Sequence, residues 1–464
     1  MHSNNALLEK LTLLAETCIQ RENQMEETLT AQEITVEEVP VESGKIWRVV
    51  KTMSSSSFLS LTGFSVAFIN ELIVDTVEIS PVLRGPKPIY TLEDGIFCLL
   101  MCLHQGVGSS QICSQLNLKS EQSLRVAINK ARPLVHSVLL RRQESFRRIR
   151  PQVSVAPRGV QANKYLGLAS DCTPILIHKP KISFNAAKEY YDAHHDVYAL
   201  KVEVAVSITP PHYALFWSKL QPGAIADFTI TKGRQAIPPT VEQIPSAAAQ
   251  YTNYLKATAS EIHLFLPPSS SSSTSSSQSI SQSPQASSSS SSPPEKYWAL
   301  IQDSGFRGVL PVPYPRIITK PLSPNNPTPP DQLFYKNKRV VVEQFFGRLK
   351  KVFKILSGPY PFDKATIQTD VEIWIMLTNC HIQVNVLSEA DGDRYKQWLS
   401  LIKSKEESKK RKQVVATQKW RANRRAKLEA ETQEFDGDSQ AESSLEDPTL
   451  YQVFDDQEND EMDE

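Results

Sequence analysis

Tyr165-Leu166-Gly167-Leu168-Ala169-Ser170-Asp171 is an apolar run of strand length that ends on a carboxylate. Tyr198-Ala199-Leu200-Lys201-Val202-Glu203-Val204-Ala205-Val206 alternates with period two. Leu200, Val202, Val204 and Val206 face one way, Lys201 and Glu203 the other, the pattern of a second strand. Tyr213 to Trp217 reads as a third, after the Pro210-Pro211 turn, and Tyr297 to Ile301 as a fourth, ending at Gln302-Asp303. Helices punctuate these strands. Gln221-Pro222-Gly223-Ala224 is a turn that delivers Asp227 to a helix start. Over 338–356, Val341, Val342, Phe345, Phe346, Leu349, Val352, Phe353 and Leu356 fall on one helical stripe. Glu343 lies off its centre, and Arg348, Lys350, Lys351 and Lys354 are expected on the polar side. A last helix over 366–386 carries Ile373, Trp374, Met376, Leu377, Ile382 and Val386. Strands mixed with helices make 160–390 an α/β unit.

Four acidic residues, Asp171, Asp227, Asp303 and Glu343, stand at the edges of these apolar stretches. A carboxylate beside a buried element is costly unless something compensates it. Two of them about 4 Å apart repel by roughly 4 kcal/mol at an effective dielectric near 20, so a cluster raises its pKa values or recruits cations. Hard Mg²⁺ or Mn²⁺ prefers oxygen ligands and is the obvious compensator. A blander reading exists for each acid: Asp227 as the cap of the helix from Phe228, Glu343 as an exposed helix residue. The adjacent His194 and His195 cannot both point into one strand-borne site, so they are expected at the surface or against substrate.

Residues 45–150 read as helical. Thr91 caps a helix over 92–104 with Asp94 three positions on. A short helix at 109–116 and a longer one near 120–142 follow. Short helix, turn, long helix is the spacing of a helix-turn-helix DNA reader. Lys119, Arg125 and Lys130, with Arg132, would face the DNA; a purely structural three-helix bundle is the alternative.

The 464 residues allow two or three domains. With 40% hydrophobic and 22% charged residues, the composition is that of a globular chain with unstructured parts. No apolar stretch approaches the roughly 18 residues that span a bilayer, so no membrane is expected, and the opening Met-His-Ser-Asn-Asn predicts no secretory signal. Six cysteines without a CxxC pair point to reduced thiols. Cys98 and Cys102, in an apolar helical run, read as core. The zero net charge conceals a division: residues 429–464 hold fifteen Asp and Glu and no Lys or Arg, leaving 51 basic against 36 acidic residues elsewhere. Such a body favours a polyanion. Residues 391–428 are a basic segment, helical or unstructured; Lys409-Lys410-Arg411-Lys412 with Arg424-Arg425 reads as a nuclear-import signal, and 429–464 as an unstructured acidic tail. The Ser/Pro-rich insert at 267–294 reads as unstructured because it lacks apolar surface to bury, and the polar, acidic residues 1–44 read as unstructured or partly helical, with a short helix over Ala6 to Cys18. Pro311 to Pro330 is expected to be loop.

Asp171-Cys172-Thr173-Pro174, Pro222-Gly223-Ala224-Ile225-Ala226-Asp227, Asp303-Ser304-Gly305-Phe306 and Val342-Glu343-Gln344-Phe345-Phe346-Gly347-Arg348-Leu349-Lys350 stand in the order seen in Harbinger-type DDE transposases and the nucleases derived from them. Asn379-Cys380-His381 resembles that family's late helical motif. The resemblance covers about 160–386, with a match of 55–145 to the family's helix-turn-helix domain. Ala226 departs from it, standing where the family commonly has histidine, and so does the serine-rich insert.

The resemblance implies an RNase H-like mixed sheet flanked by helices, preceded by an all-α helix-turn-helix domain. It implies catalytic Asp171, Asp227 and Glu343, with Asp303 joining them around two Mg²⁺ or Mn²⁺ ions. Ions about 3.5–4 Å apart stabilise the attacking and leaving oxygens of an in-line displacement at phosphorus. Arg348, Lys350, Lys351 and Lys354 are candidates to grip DNA phosphates. Three functions stay open: an active transposase or endonuclease, a domesticated and catalytically silent DNA-binding protein, and a scaffold acting through its termini. The implied partners are DNA, a second DNA-binding protein and a further copy of the chain, in the nucleus, with the cytoplasm as the alternative location.

Overall fold

The computed structural model describes residues 45–81, 88–116, 118, 120–233, 247–265, 295–308, 312–319 and 328–435. The expectations for 1–44, for the 267–294 insert, for Lys119 and for the tail beyond 435 lie outside them. Among the described residues, 45–193 and 198–396 group into one compact unit, and His194–Val197 with the chain from Gln397 into a second.

The α/β reading holds: a mixed sheet is flanked by helices. Strand β1 (Leu166–Leu176) is central. β2 (Tyr191–Asp192) and β3 (Val197–Ser207) follow, and β3 pairs with β1 antiparallel, setting Asp171 opposite Val204 and Cys172 opposite Glu203. β4 (Ala214–Trp217) and β5 (Gln221–Pro222) pair antiparallel with β3. β6 (Ala299–Gln302) runs parallel to β1, and β7 (Arg316–Ile318) parallel to β6. Leu166 to Ser170 are all buried, as a strand covered on both faces must be.

Two sequence expectations need correction here. β1 does not stop at Asp171 but runs on through Pro174 to Leu176. Its pairing to β6 reaches only Ala169, so the later residues bond on the β3 side alone, where a proline without an N–H is tolerated. The proline-rich stretch expected to be loop contains β7. Pro315 lacks a donor but its carbonyl accepts from Leu300 N at 2.9 Å.

The preceding helices are α1 (Lys45–Val50), α2 (Ser55–Thr62), α3 (Val66–Glu78), α4 (Leu92–Gln105), α5 (Ser109–Gln115) and α6 (Glu121–Arg147). The Thr91–Asp94 capping box forms at α4. From Glu93 to His104 every residue of α4 is buried, so Cys98 and Cys102 are core thiols. A helix apolar all round needs cover on all sides, and α6 supplies much of it. α6 also faces α11 (Ile367–Val384). Arg132 Nε donates to Asp370 Oδ1 at 2.7 Å, and Gln143 joins Asn379 and the Ala214 carbonyl. Arg132, expected at a DNA surface, is a buried tie between helices.

α7 (Phe184–Lys188) lies between β1 and β2, and after β5 come α8 (Asp227–Lys232) and α9 (Ala247–Leu255). The amphipathic helix expected from 338 is α10 (Pro330–Val352); it begins a full two turns earlier, on a proline in its first turn. Phe353 and Leu356 are buried as expected, but beyond its end. α12 (Glu389–Phe435) completes the fold. Its residues in the second unit are largely exposed; there Arg424 lies 5.4 Å from the centre of the Trp420 ring, and Lys410 pairs with Asp196. No single described helix is long and apolar enough to cross a membrane.

Candidate active site

Asp171 sits where β1 loses its β6 neighbour. Its Oδ1 accepts from Cys172 N at 2.8 Å and its Oδ2 from Arg339 Nη1 at 2.6 Å. Burial pushes its carboxyl up to about 7; Arg339 opposes the rise, and the charges of Asp303 and Asp227 add to it. Asp171 therefore feels both other aspartates, and the strand register accounts for Asp303. Ala169 lies beside Ile301 in the parallel pair, so Asp303, just past β6, emerges alongside Asp171.

Asp303 caps the turn over Ser304–Phe306, accepting from Gly305 N at 2.8 Å. Asp227 begins α8 directly after the N-cap Ala226, so its carboxylate is not the helix cap. Instead it accepts from Lys201 Nζ at 3.3 Å. The two acids meet over Gly305. A Cβ there would lie 3.1 Å from Asp303 Oδ1 and 3.2 Å from Asp227 Oδ2, so glycine leaves the space between them open.

Glu343 projects from α10, whose contacts with β1 bring it to the same region. Its Oε1 accepts from Arg339 Nη2 at 2.6 Å. One guanidinium thus bridges Asp171 on the sheet and Glu343 on the helix. Arg339 has 13% of its side chain exposed, and its Nε is buried without a hydrogen-bond partner. Burial works against its charge, but Asp171, Glu343 and Asp303 outweigh that and hold its pKa above the ordinary value. Lys201 plays the same part on β3, within 3.5 Å of Asp192 and 3.3 Å of Asp227.

The fold therefore brings Asp171, Asp227, Asp303 and Glu343 to one region, with Arg339 and Lys201 among them. Among the described residues no three His, Cys, Asp or Glu side chains are arranged to hold a metal ion as they stand. The mutual influence of the aspartates and this lack of a ready-made triad are compatible, because Asp171 and Glu343 are turned onto Arg339.

Sequence reading missed Arg339, Lys201 and Glu203. Arg339 had a signal, being one helical turn before Glu343. The two strand charges had another: they interrupt a run that the sheet buries on both faces. Glu203 is fully buried, pairs across from Cys172, and accepts from the Thr231 hydroxyl at 2.8 Å.

The expected phosphate contacts divide. Arg348 is buried, donating to both Asp391 oxygens and to the carbonyls of Asn385 and Val386. Lys350 is buried, with Nζ 3.3 Å from the Pro174 carbonyl, and burial brings its pKa down to about 7. Both were expected on a polar face and are instead inside the fold, because β1 and the start of α12 cover that side of α10. Lys351 and Lys354 are exposed, as are Lys130 and Arg125, the last paired with Glu121 at 2.6 Å. Comparisons of the chain with family models, with curated proteins and with solved structures each return no match.

Proposed function

We propose that this chain is a metal-dependent DNA endonuclease of the DDE transposase type, built on an RNase H-like sheet behind a helix-turn-helix segment. The observation that carries the reading is the convergence of Asp171, Asp227, Asp303 and Glu343, drawn from four separate elements, on one partly buried region. The sheet lends support: β4, β3, β1, β6 and β7 are neighbours in that order, with β3 antiparallel and β6 and β7 parallel to β1. The first acid lies on the central strand and the last on a helix packed against it.

The donors suit a hard divalent cation: all four are carboxylates, and two of them flank Gly305, where an added Cβ would press on both at 3.1 and 3.2 Å. Asp171, Asp227, Asp303 and Glu343 would hold Mg²⁺ or Mn²⁺, which when bound supplies Lewis acidity toward a phosphoryl oxygen and a water of lowered pKa. The chain's own residues orient that chemistry. β1 and β6 fix two of the acids in register, and Lys201 holds Asp227 toward them. Exposed Lys351 and Lys354 are available to DNA phosphates.

The test is cleavage of plasmid DNA by purified protein with Mg²⁺ or Mn²⁺. Wild type should cut, and Asp171→Ala should abolish cutting while leaving the fold intact. Equal cutting by both removes the acids from the chemistry. The second reading, a silent DNA-binding protein, draws on the Arg339 bridge that occupies two of the acids and offsets part of their charge. It expects salt-sensitive DNA binding, weakening steeply between about 50 and 200 mM salt, with no cleavage under any metal.

A further inference from the structure

We propose that Arg339 is a built-in counter-cation that occupies the divalent-ion position between Asp171 and Glu343 and must be displaced for the ion to bind. The inference rests on the metal-centre reading above and adds its regulation. A single guanidinium touches both acids at 2.6 Å, one on β1 and one on α10. Such a forked, charge-assisted contact is the geometry in which arginine substitutes best for a cation between carboxylates. The remaining field on Arg339 comes from Asp303, so three of the four acids act on this one group.

Its hold is incomplete. Nε is buried without a partner, which lowers the cost of moving the side chain relative to a fully satisfied arginine. Arg339 and Glu343 are one turn apart on the same helix, so a rotamer change releases both acids without moving α10. Lys201 leaves Asp227 and Asp303 facing the Gly305 gap. Displacing Arg339 therefore frees Asp171 and Glu343 to act with Asp227 and Asp303 as one set of four.

The experiment is Mn²⁺ binding to the full chain, read by electron paramagnetic resonance and by calorimetry, in wild type, Arg339→Gln and Arg339→Lys. Removing a competitor hydrogen-bonded to two ligands should tighten Mn²⁺ binding by roughly ten- to a hundredfold in Arg339→Gln. Arg339→Lys, which keeps the charge but loses the fork, should fall between the two. If the glutamine variant does not fold, the lysine variant alone decides. Binding that is unchanged or weaker in the variants overturns the inference and makes Arg339 a residue that positions the ligands. No Mn²⁺ binding by any of the three proteins removes the metal-centre reading itself, and this inference with it.

Discussion

Glu203→Gln should make the protein more stable at pH 8 and leave it unchanged near pH 4.5. Glu203 is fully buried in β3, beside Tyr251 and Ser170, with only Thr231 donating to it at normal hydrogen-bond geometry. Burial raises its carboxyl from 4.5 to about 7; the Thr231, Ser170 and Tyr251 hydroxyls pull it down, and the charge of Asp227 pushes it further up. In the unfolded chain the group ionises near its ordinary value. Between that pH and about 7 the native state therefore binds the extra proton, and stability falls as pH rises through this window. At about 1.4 kcal/mol per pKa unit, the ionised carboxylate costs about 3 kcal/mol above pH 7. Glutamine keeps the shape and removes the charge. The assay is urea unfolding of both proteins at pH 4.5 and pH 8, taking the difference between them at each pH so that other titrating groups cancel. A gain of about 1–3 kcal/mol at pH 8 is expected, the lower end allowing for relaxation around the site. A glutamine variant no more stable than wild type at pH 8 refutes the reasoning, because Glu203 would then be an ion that the fold holds favourably.

Other perturbations follow from the same packing. A Cβ on Gly347 would fall inside the carbonyl group of Asp391, with that residue's Cα at 3.2 Å. Gly347→Ala must therefore push the start of α12 away and weaken the Arg348–Asp391 clamp; thermal unfolding should report a loss of about 1–3 kcal/mol or more, and an unchanged midpoint contradicts the contact. Asp370→Ala strips the buried Arg132 guanidinium of its carboxylate and Tyr360 of its acceptor. It should cost about 3–5 kcal/mol in denaturant unfolding, whereas a loss below about 1 kcal/mol would mean α6 and α11 are not held by this pair. Lys350→Met should stabilise the protein by about 1–4 kcal/mol at pH 6. Because burial lowers the ammonium pKa to about 7, that advantage should shrink as pH rises from 7 toward 10.5, where the wild-type side chain unfolds and folds uncharged alike.

Much of the fold and of the acid set was legible in the chain. β1, β3, β4 and β6 announced themselves as apolar or alternating runs, and α10 and α11 as stripes, since burial imposes those periods directly. The four acids were legible because each stands in or beside an apolar run, although Asp171 and Glu343 lie within their elements and only Asp227 and Asp303 at an element's edge. What was not legible depends on third parties. Arg348 and Lys350 follow a polar-face pattern, yet the start of α12 and the Pro174 carbonyl supply partners that no local period reveals. β7 hides among prolines because an outer strand can use their carbonyls alone. Arg132 looked like a base-reading or phosphate-reading residue until Asp370, distant in sequence, proved to be its partner. The arginine between Asp171 and Glu343 was equally hidden, because its meaning appears only when β1 and α10 come together.

Crystals of the protein soaked with Mn²⁺, with anomalous differences measured at the manganese edge, test the central claim most directly. The account expects a peak ligated by Asp171 and Glu343 together with Asp227 or Asp303, with Arg339 swung off the first two. Manganese bound elsewhere only, with Arg339 still bridging the two acids at saturating ion, would contradict it.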